Sequence, residues 1–142
     1  MTTPDIDANV MRALYTHLSQ WTPPGGQTIV YPLQKFEPGQ SPYIRITLLR
    51  NTPARLTINN GGIHQLQGIL QANFVYPVNA KTVAEPVMMA HAGSLIEYFK
   101  SGTTIPVSGK RIEIPRRPEI GAISISADRV QVPVSIGWRI FD

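Results

Sequence analysis

The run Gly68-Ile69-Leu70-Gln71-Ala72-Asn73-Phe74-Val75-Tyr76-Pro77 alternates with a period of two, the signature of a strand with two unlike faces. Leu70, Ala72, Phe74 and Tyr76 fall on one side and require a core. Ile69, Gln71, Asn73 and Val75 fall on the other, a mixed surface suited to solvent or to another subunit. Pro77 stops the ladder, because it lacks the N–H that further pairing needs. The neighbouring elements must be arranged on this strand's apolar face.

Two other segments alternate as clearly. Tyr43 to Arg50 sends Ile44, Ile46 and Leu48 one way and Tyr43, Arg45 and Thr47 the other. Near the end, Val130, Val132, Val134, Ile136, Trp138 and Ile140 share a face, and Pro133 on the opposite face implies an edge or an irregular position. Asn59-Asn60-Gly61-Gly62 is the strongest turn signal, since Asn-Gly tolerates the positive φ angles of a tight turn. A hairpin pivoting there joins the strand from Tyr43 to the strand ending at Tyr76. Each side reaches about 50 Å at about 3.3 Å per residue, so the tip, with Leu56, Ile58 and Ile63, projects as an arm. Counting outward from a two-residue turn at Asn60-Gly61 puts the apolar sets on opposite faces. A one-residue slip restores the match, with Leu48 beside Phe74 and Ile46 beside Tyr76, and predicts a bulge near Pro53 or Gly68. The alternative is a disordered loop from Asn51 to Gln65.

Ile6, Val10, Leu14 and Leu18 recur every four residues and predict a helix over about Asp5 to Ser19. Trp21 folds back on its stripe, and Pro23-Pro24-Gly25-Gly26 ends it. Thr28 to Tyr31 reads as a short strand. Thr82-Val83-Ala84-Glu85 has the capping-box pattern and opens a second helix, with Ala84, Met88, Ala92, Leu95 and Phe99 as its stripe and Ser101-Gly102 as its end. Thr104 to Val107 and Arg111 to Ile114 flank a turn at Ser108-Gly109. Pro115-Arg116-Arg117-Pro118 is a basic loop, and Ile120 to Ser126 reads as one strand. The fold class is α+β: a largely antiparallel sheet, two helices packed on one face, and a projecting β-hairpin arm, in one domain over residues 1–142.

Composition narrows the function. Cysteine is absent, which removes disulfides and thiolate zinc sites. No apolar run approaches the roughly 20 residues of a membrane span, and the first residues lack the basic start and apolar block of a secretory signal. The reading is of a chain that matures in a cytoplasm, with no membrane partner. The net charge of +4 is concentrated in Arg45, Arg50 and Arg55 and in Lys100, Lys110, Arg111, Arg116 and Arg117, either as solvated edges or as a polyanion-facing cluster.

Catalytic signatures fail one by one. His17, His64 and His91 lie in separate elements, with no H-E-x-x-H pair. Gly102 to Lys110 does not meet the P-loop spacing, and Arg111 stands where a magnesium-binding hydroxyl is needed. No serine sits in a G-x-S-x-G elbow. Glu85 and Asp128 are occupied by a helix start and a turn, and no other carboxylates are paired for acid–base work. The chain reads as a non-enzyme without a cofactor. Tyr43 beside Arg45 is a weak stacking platform, because Phe74 and Tyr76 face the core.

The course Tyr43-Ile44-Arg45-Ile46-Thr47-Leu48-Leu49, the strand Gly68 to Pro77, the Ala-containing helix ending at Phe99 and the closing Val132-Pro133-Val134-Ser135-Ile136-Gly137-Trp138-Arg139 together resemble the tail terminator-like proteins of long-tailed bacteriophages. The resemblance implies a structural virion protein, a ring, usually hexameric, at the head-proximal end of the tail tube. Such a ring ends tube growth and docks the neck. The implied partners are other copies of the chain, the major tail tube protein, a neck or head-completion protein and, transiently, passing DNA. On this reading Arg55, Leu56, Ile58, Ile63 and His64 of the hairpin arm grip the next subunit. Ile69, Gln71 and Asn73 receive them, and Lys110, Arg116 and Arg117 face the lumen or a neighbouring ring. A head-completion or neck connector protein is the near alternative, and a small basic nucleic-acid-binding module is the alternative from another class.

Overall fold

The computed structural model describes residues 5–37, 39, 41–51, 54–55, 64–78 and 82–142. The elements are α1 (Ile6–Ser19), β1 (Thr28–Val30), β2 (Tyr43–Arg50), β3 (Ala54–Arg55), β4 (His64–Pro77), α2 (Glu85–Tyr98), β5 (Thr104–Val107), β6 (Lys110–Glu113), β7 (Glu119–Ile120), β8 (Ser124–Ile125) and β9 (Arg129–Phe141). Among the described residues nine strands join one sheet of order β1-β2-β4-β9-β6-β5, with β3 on β4 and both β7 and β8 on β9. Only β1–β2 is parallel among these pairings. The fold is α+β and largely antiparallel.

β4 and β9 form its spine, paired from Gln65↔Phe141 to Pro77↔Arg129. Leu70, Ala72, Phe74 and Tyr76 are buried on one face with Val132, Val134, Ile136, Trp138 and Ile140. The β-branched residues of β9 suit this pleated surface. α1 adds Ile6, Val10, Leu14 and Leu18, and α2 adds Met88, Ala92, Leu95 and Ile96 to the same core. A fully buried side chain of this size contributes roughly 2 kcal/mol through removal from water. The two four-residue stripes therefore outweigh the weak intrinsic stability of 14-residue helices. Trp21 packs edge-on to Phe74 at 6.3 Å and donates its Nε1–H to Ser94 Oγ at 3.3 Å, reaching both the sheet and α2.

The register differs from the sequence expectation. Ile44, Ile46 and Leu48 lie opposite Phe74, Ala72 and Leu70, four residues away from the expected partners of Ile46 and Leu48. An even displacement preserves the faces, so the apolar sets still match. The expectation counted from a turn at Asn60-Gly61, which lies outside the described residues. The one-residue break near Pro53 is present: Asn51 donates its N–H to the Gln67 carbonyl at 3.0 Å, while Ala54 pairs with Gln65. Gly68 instead stays in the ladder, between Arg50 and Trp138. An added Cβ there would sit 2.3 Å from the Leu49 carbonyl oxygen and 2.8 Å from Trp138 Cζ2, so glycine permits the close approach.

The base of the hairpin belongs to the sheet. β4 has β9 beside it from Gln65 onward, and His64 exchanges backbone hydrogen bonds with Asp142 at 2.9 and 2.8 Å. Leu56, Ile58 and Ile63, expected at a projecting tip, lie outside the described residues, as does the side chain of Arg55.

Two local expectations are corrected. The capping box does not form: α2 begins at Glu85 with Ala84 as its N-cap, and Thr82 donates its hydroxyl to the Pro77 carbonyl at 2.8 Å. A start at Thr82 would place Pro86 where its missing N–H orphans a carbonyl, whereas in the first turn no donor is required. Ile120 to Ser126 is not one strand but the short β7 and β8, with Gly121, Ala122 and Ile123 between them. Pro133 explains the gap. Its carbonyl accepts from Gly121 N–H at 2.8 Å, so its absent N–H points toward the same interruption.

Candidate functional site

The second face of the sheet carries the candidate site. Because β4 alternates, Gln65, Gln67, Ile69, Gln71 and Asn73 stand on this face, all half-buried. Across from Ile69 and Gln71 are Gly137 and Ser135 of β9, too small to cover them. Gln65 Nε2 donates to Gln67 Oε1 at 2.8 Å, and Asn73 Nδ2 to Gln131 Oε1 at 2.6 Å. The row is therefore an uncharged amide ladder with one aliphatic member.

One end of this face is closed by apolar packing. Val75, expected to be open, is 3% exposed and clusters with Val30, Tyr43 and Phe36, because the segment after β1 folds across it. Phe36 and Tyr43 rings are 5.0 Å apart, and the Arg45 and Arg129 guanidinium groups sit 5.7 and 5.9 Å from the Tyr43 ring. Arg129 Nη1 also donates to the Tyr43 hydroxyl at 3.0 Å. These contacts make Tyr43 a covered support rather than a free stacking platform.

The centre and far end are open. A hollow of about 260 Å³ lies over Gln71 and Asn73, walled by Arg45, Ser124 and Pro133. A groove of about 400 Å³ continues beside Ile69, bounded by Gln67, Arg116, Arg117, Glu119 and Arg139. The fold thus brings together two predicted sets some 45 residues apart in sequence, the β4 face and the basic loop. Arg116 and Arg117 are exposed and form no hydrogen bond or ion pair among the described residues. Arg139 is held by Glu113, with two contacts of 3.1 Å, and lies against the Phe141 ring.

Lys110, grouped with these arginines by sequence, is not at the groove. It is ion-paired with Asp142, which is 7% exposed, beside the start of β4. His64 is half-buried there, its backbone tied to Asp142 and to Arg55 of β3.

A buried polar cluster lies elsewhere. The Gly25 N–H donates to Gln27 Oε1 at 3.0 Å, which orients the amide so that Nε2 approaches His91 Nδ1 at 3.1 Å. The Tyr76 hydroxyl is 2.9 Å from the same nitrogen. Two donors converge on Nδ1, so it is the acceptor and the imidazole carries its proton on Nε2. Burial pushes the Tyr76 phenol up to about 12, with the Gln27 hydrogen bond acting weakly in the other direction. A phenol held this firmly neutral is a poor acid or base near pH 7. The cluster ties the 25–27 loop and α2 to β4.

Sequence reading missed a third concavity. A groove of about 480 Å³ runs between α1 and β5, lined by Ala13, Thr16, His17, Ile105, Pro106 and Val107. Its walls are some 90 residues apart, so no local pattern announces it. His17 stacks on Tyr98 at 4.7 Å and meets the Phe99 edge at 5.2 Å, and burial lowers its pKa. Among the described residues no three His, Cys, Asp or Glu side chains gather as a metal-binding set, and no helix is long and apolar enough to cross a membrane.

Comparison with known proteins places this architecture. No curated protein matches the chain. Five solved chains do, and one of them, named without reference to any activity, is 20% identical over 94% of each chain with a TM-score of 0.74. That likeness establishes a shared fold. A family profile described as phage tail terminator protein matches residues 9–138, nearly the whole sequence. The chain belongs to the phage tail terminator protein family, a family of structural proteins of the virion tail that work alongside other tail proteins.

Proposed function

We propose that this protein forms a homo-oligomeric ring of six copies at the head-proximal end of the tail tube, where it ends tube polymerisation and offers the docking surface for the neck. Assembly takes place in the host cytoplasm, and DNA passes the ring without being held. The observation that carries this reading is the open second face of the sheet. Ile69, Gln71 and Asn73 form its uncharged, half-buried centre, and unpaired arginines stand at its border. Protein interfaces have this composition: charge is depleted at the centre and arginine is common. The hairpin residues Arg55, Leu56, Ile58, Ile63 and His64 supply one half of the subunit contact, and the β4 face supplies the other. Arg116 and Arg117 then face the lumen or an acidic rim of a neighbouring ring. Lys110 is a poorer candidate for that rim, because it is engaged by Asp142.

The test uses purified protein added to polymerising tail tube protein, with tube length read by electron microscopy. Wild type stops elongation, and Ile69→Lys combined with Arg116→Ala and Arg117→Ala does not. Equal capping by the variant would overturn the reading. Binding to portal or head protein, with no effect on tubes, would favour a neck connector instead. The exposed arginines also favour a second reading, DNA binding by the 115–118 loop. It requires affinity that falls steeply with salt and is lost in Arg116→Ala with Arg117→Ala. No DNA retention at low salt ends that reading.

A further inference from the structure

The segment after β1 displays a leucine in an uncommon way. Gln34 N–H donates to the Tyr31 carbonyl at 3.2 Å, closing a turn with Pro32 and Leu33 at its centre. Leu33 has φ +64°, the left-handed value that the third position of a type II turn requires and glycine or asparagine normally supplies. Its relative exposure is 107%, so no intramolecular packing accounts for a leucine there. The turn is firmly held: Tyr31 N–H donates to Gln34 Oε1 at 3.0 Å, and the Tyr31 ring lies 5.2 Å from Tyr15 of α1. Two independent penalties, backbone strain and an aliphatic side chain left in water, coincide at one hydrogen-bonded tip. Strain of this kind is concentrated at positions with a task.

The chain also carries a receptor. The groove between α1 and β5 has apolar walls from Ala13, Ile105, Pro106 and Val107, and its volume of about 480 Å³ accommodates a leucine and part of its turn. β5 is an edge strand, and Pro106 occupies its outward-facing, non-hydrogen-bonded position, so the edge cannot recruit another strand there. Side-chain docking is what remains available to it. The knob and the groove are at opposite ends of the strand order, β1 at one end and β5 at the other. They also flank α1 on different sides, since Tyr15 lies roughly 160° around the helix from Ala13. A knob and a socket on different surfaces of one chain make a head-to-tail contact, the kind that closes into rings. Charge fits as well. Glu37, close behind the knob, and Arg12, at the groove, are both exposed and without an ion pair among the described residues.

We propose that Leu33 of one copy inserts into the groove between α1 and β5 of the next copy, with Glu37 meeting Arg12 across the contact. The proposal rests on the ring reading above and adds a second contact to it, separate from the β4 face.

Because the chain has no cysteine, a pair of introduced thiols reports this contact directly. The full-length protein carrying Leu33→Cys and Pro106→Cys is oxidised in the assembled state, with and without tube protein, and resolved without reductant. A ladder of covalent multimers ending at the ring size is expected, and multimers should be absent from either single variant beyond a dimer. In parallel, Leu33→Gly weakens self-assembly by about thirtyfold, the loss corresponding to one buried leucine. It does so without lowering the unfolding midpoint, because glycine suits the turn. Arg12→Glu and Glu37→Arg each weaken assembly, and their combination restores it. If wild type assembles while Leu33→Gly assembles equally well and the double-cysteine protein gives no ladder, this contact is wrong and the ring survives. A wild-type chain that remains monomeric even with tube protein sinks both.

Discussion

Replacing Gly68 by alanine probes the spine of the sheet with a single methyl group. Gly68 lies between Arg50 of β2 and Trp138 of β9, and a Cβ there would meet the Leu49 carbonyl oxygen at 2.3 Å and Trp138 at 2.8 and 3.0 Å. The carbonyl contact is about 1 Å short of ordinary van der Waals distance. A backbone atom in a paired strand cannot rotate away, and Trp138 is 3% exposed and packed within the core cluster. Overpacking of this kind costs about 3 kcal/mol, the upper part of the usual range. Restricting the unfolded chain returns about 0.5–1 kcal/mol of that, so the net loss is about 2 kcal/mol, or about 8 °C in Tm for a domain of this size. Urea unfolding followed by tryptophan fluorescence at fixed protein concentration measures it. Gly93→Ala is the control, since a Cβ in that helix meets nothing within 4 Å and alanine should stabilise by about 0.5–1 kcal/mol. A Gly68→Ala midpoint equal to wild type would refute the packing argument and the β2–β4–β9 register with it.

Three further outcomes are expected. The Tyr76 phenol is raised to about 12 in the folded chain against about 10 unfolded. Stability linked to it is therefore full below pH 10 and declines as pH rises from 10 toward 12, and Tyr76→Phe should flatten that decline in urea midpoints measured across the window. Tyr15, Tyr31 and Tyr98 are raised in the same direction by burial, so part of the slope persists in the variant. Lys110→Met removes the ammonium that pairs with the buried Asp142 carboxylate and should cost about 1–3 kcal/mol; adding Asp142→Asn should recover part of the loss, and a double variant no better than the single would contradict the pairing. Arg116→Ala with Arg117→Ala should change the unfolding free energy by less than about 0.5 kcal/mol, because neither side chain has a partner among the described residues.

The sequence by itself determined the faces. Alternation in 68–77 and 130–140 and the four-residue spacing of Ile6, Val10, Leu14 and Leu18 assigned almost every buried side chain of β4, β9 and α1, because local periodicity dictates which residues can share a core. It also fixed the family, through a pattern spread over residues 9–138. Tertiary structure decided what depends on distance between elements. The register of β2 on β4 is a pairing between separate segments, to which a period of two is blind except in parity. Where α2 begins was decided by the missing N–H of Pro86 rather than by the capping pattern at Thr82. Val75 was buried by the segment carrying Phe36, which shares no pattern with it. The two open concavities proposed above as contact surfaces are assembled from segments roughly 45 and 90 residues apart, Ile69 with Arg116 and Ala13 with Pro106. Surfaces of this sort have no local signature, because nothing in the chemistry of either segment records the other until the sheet has curled and the helix has settled across it.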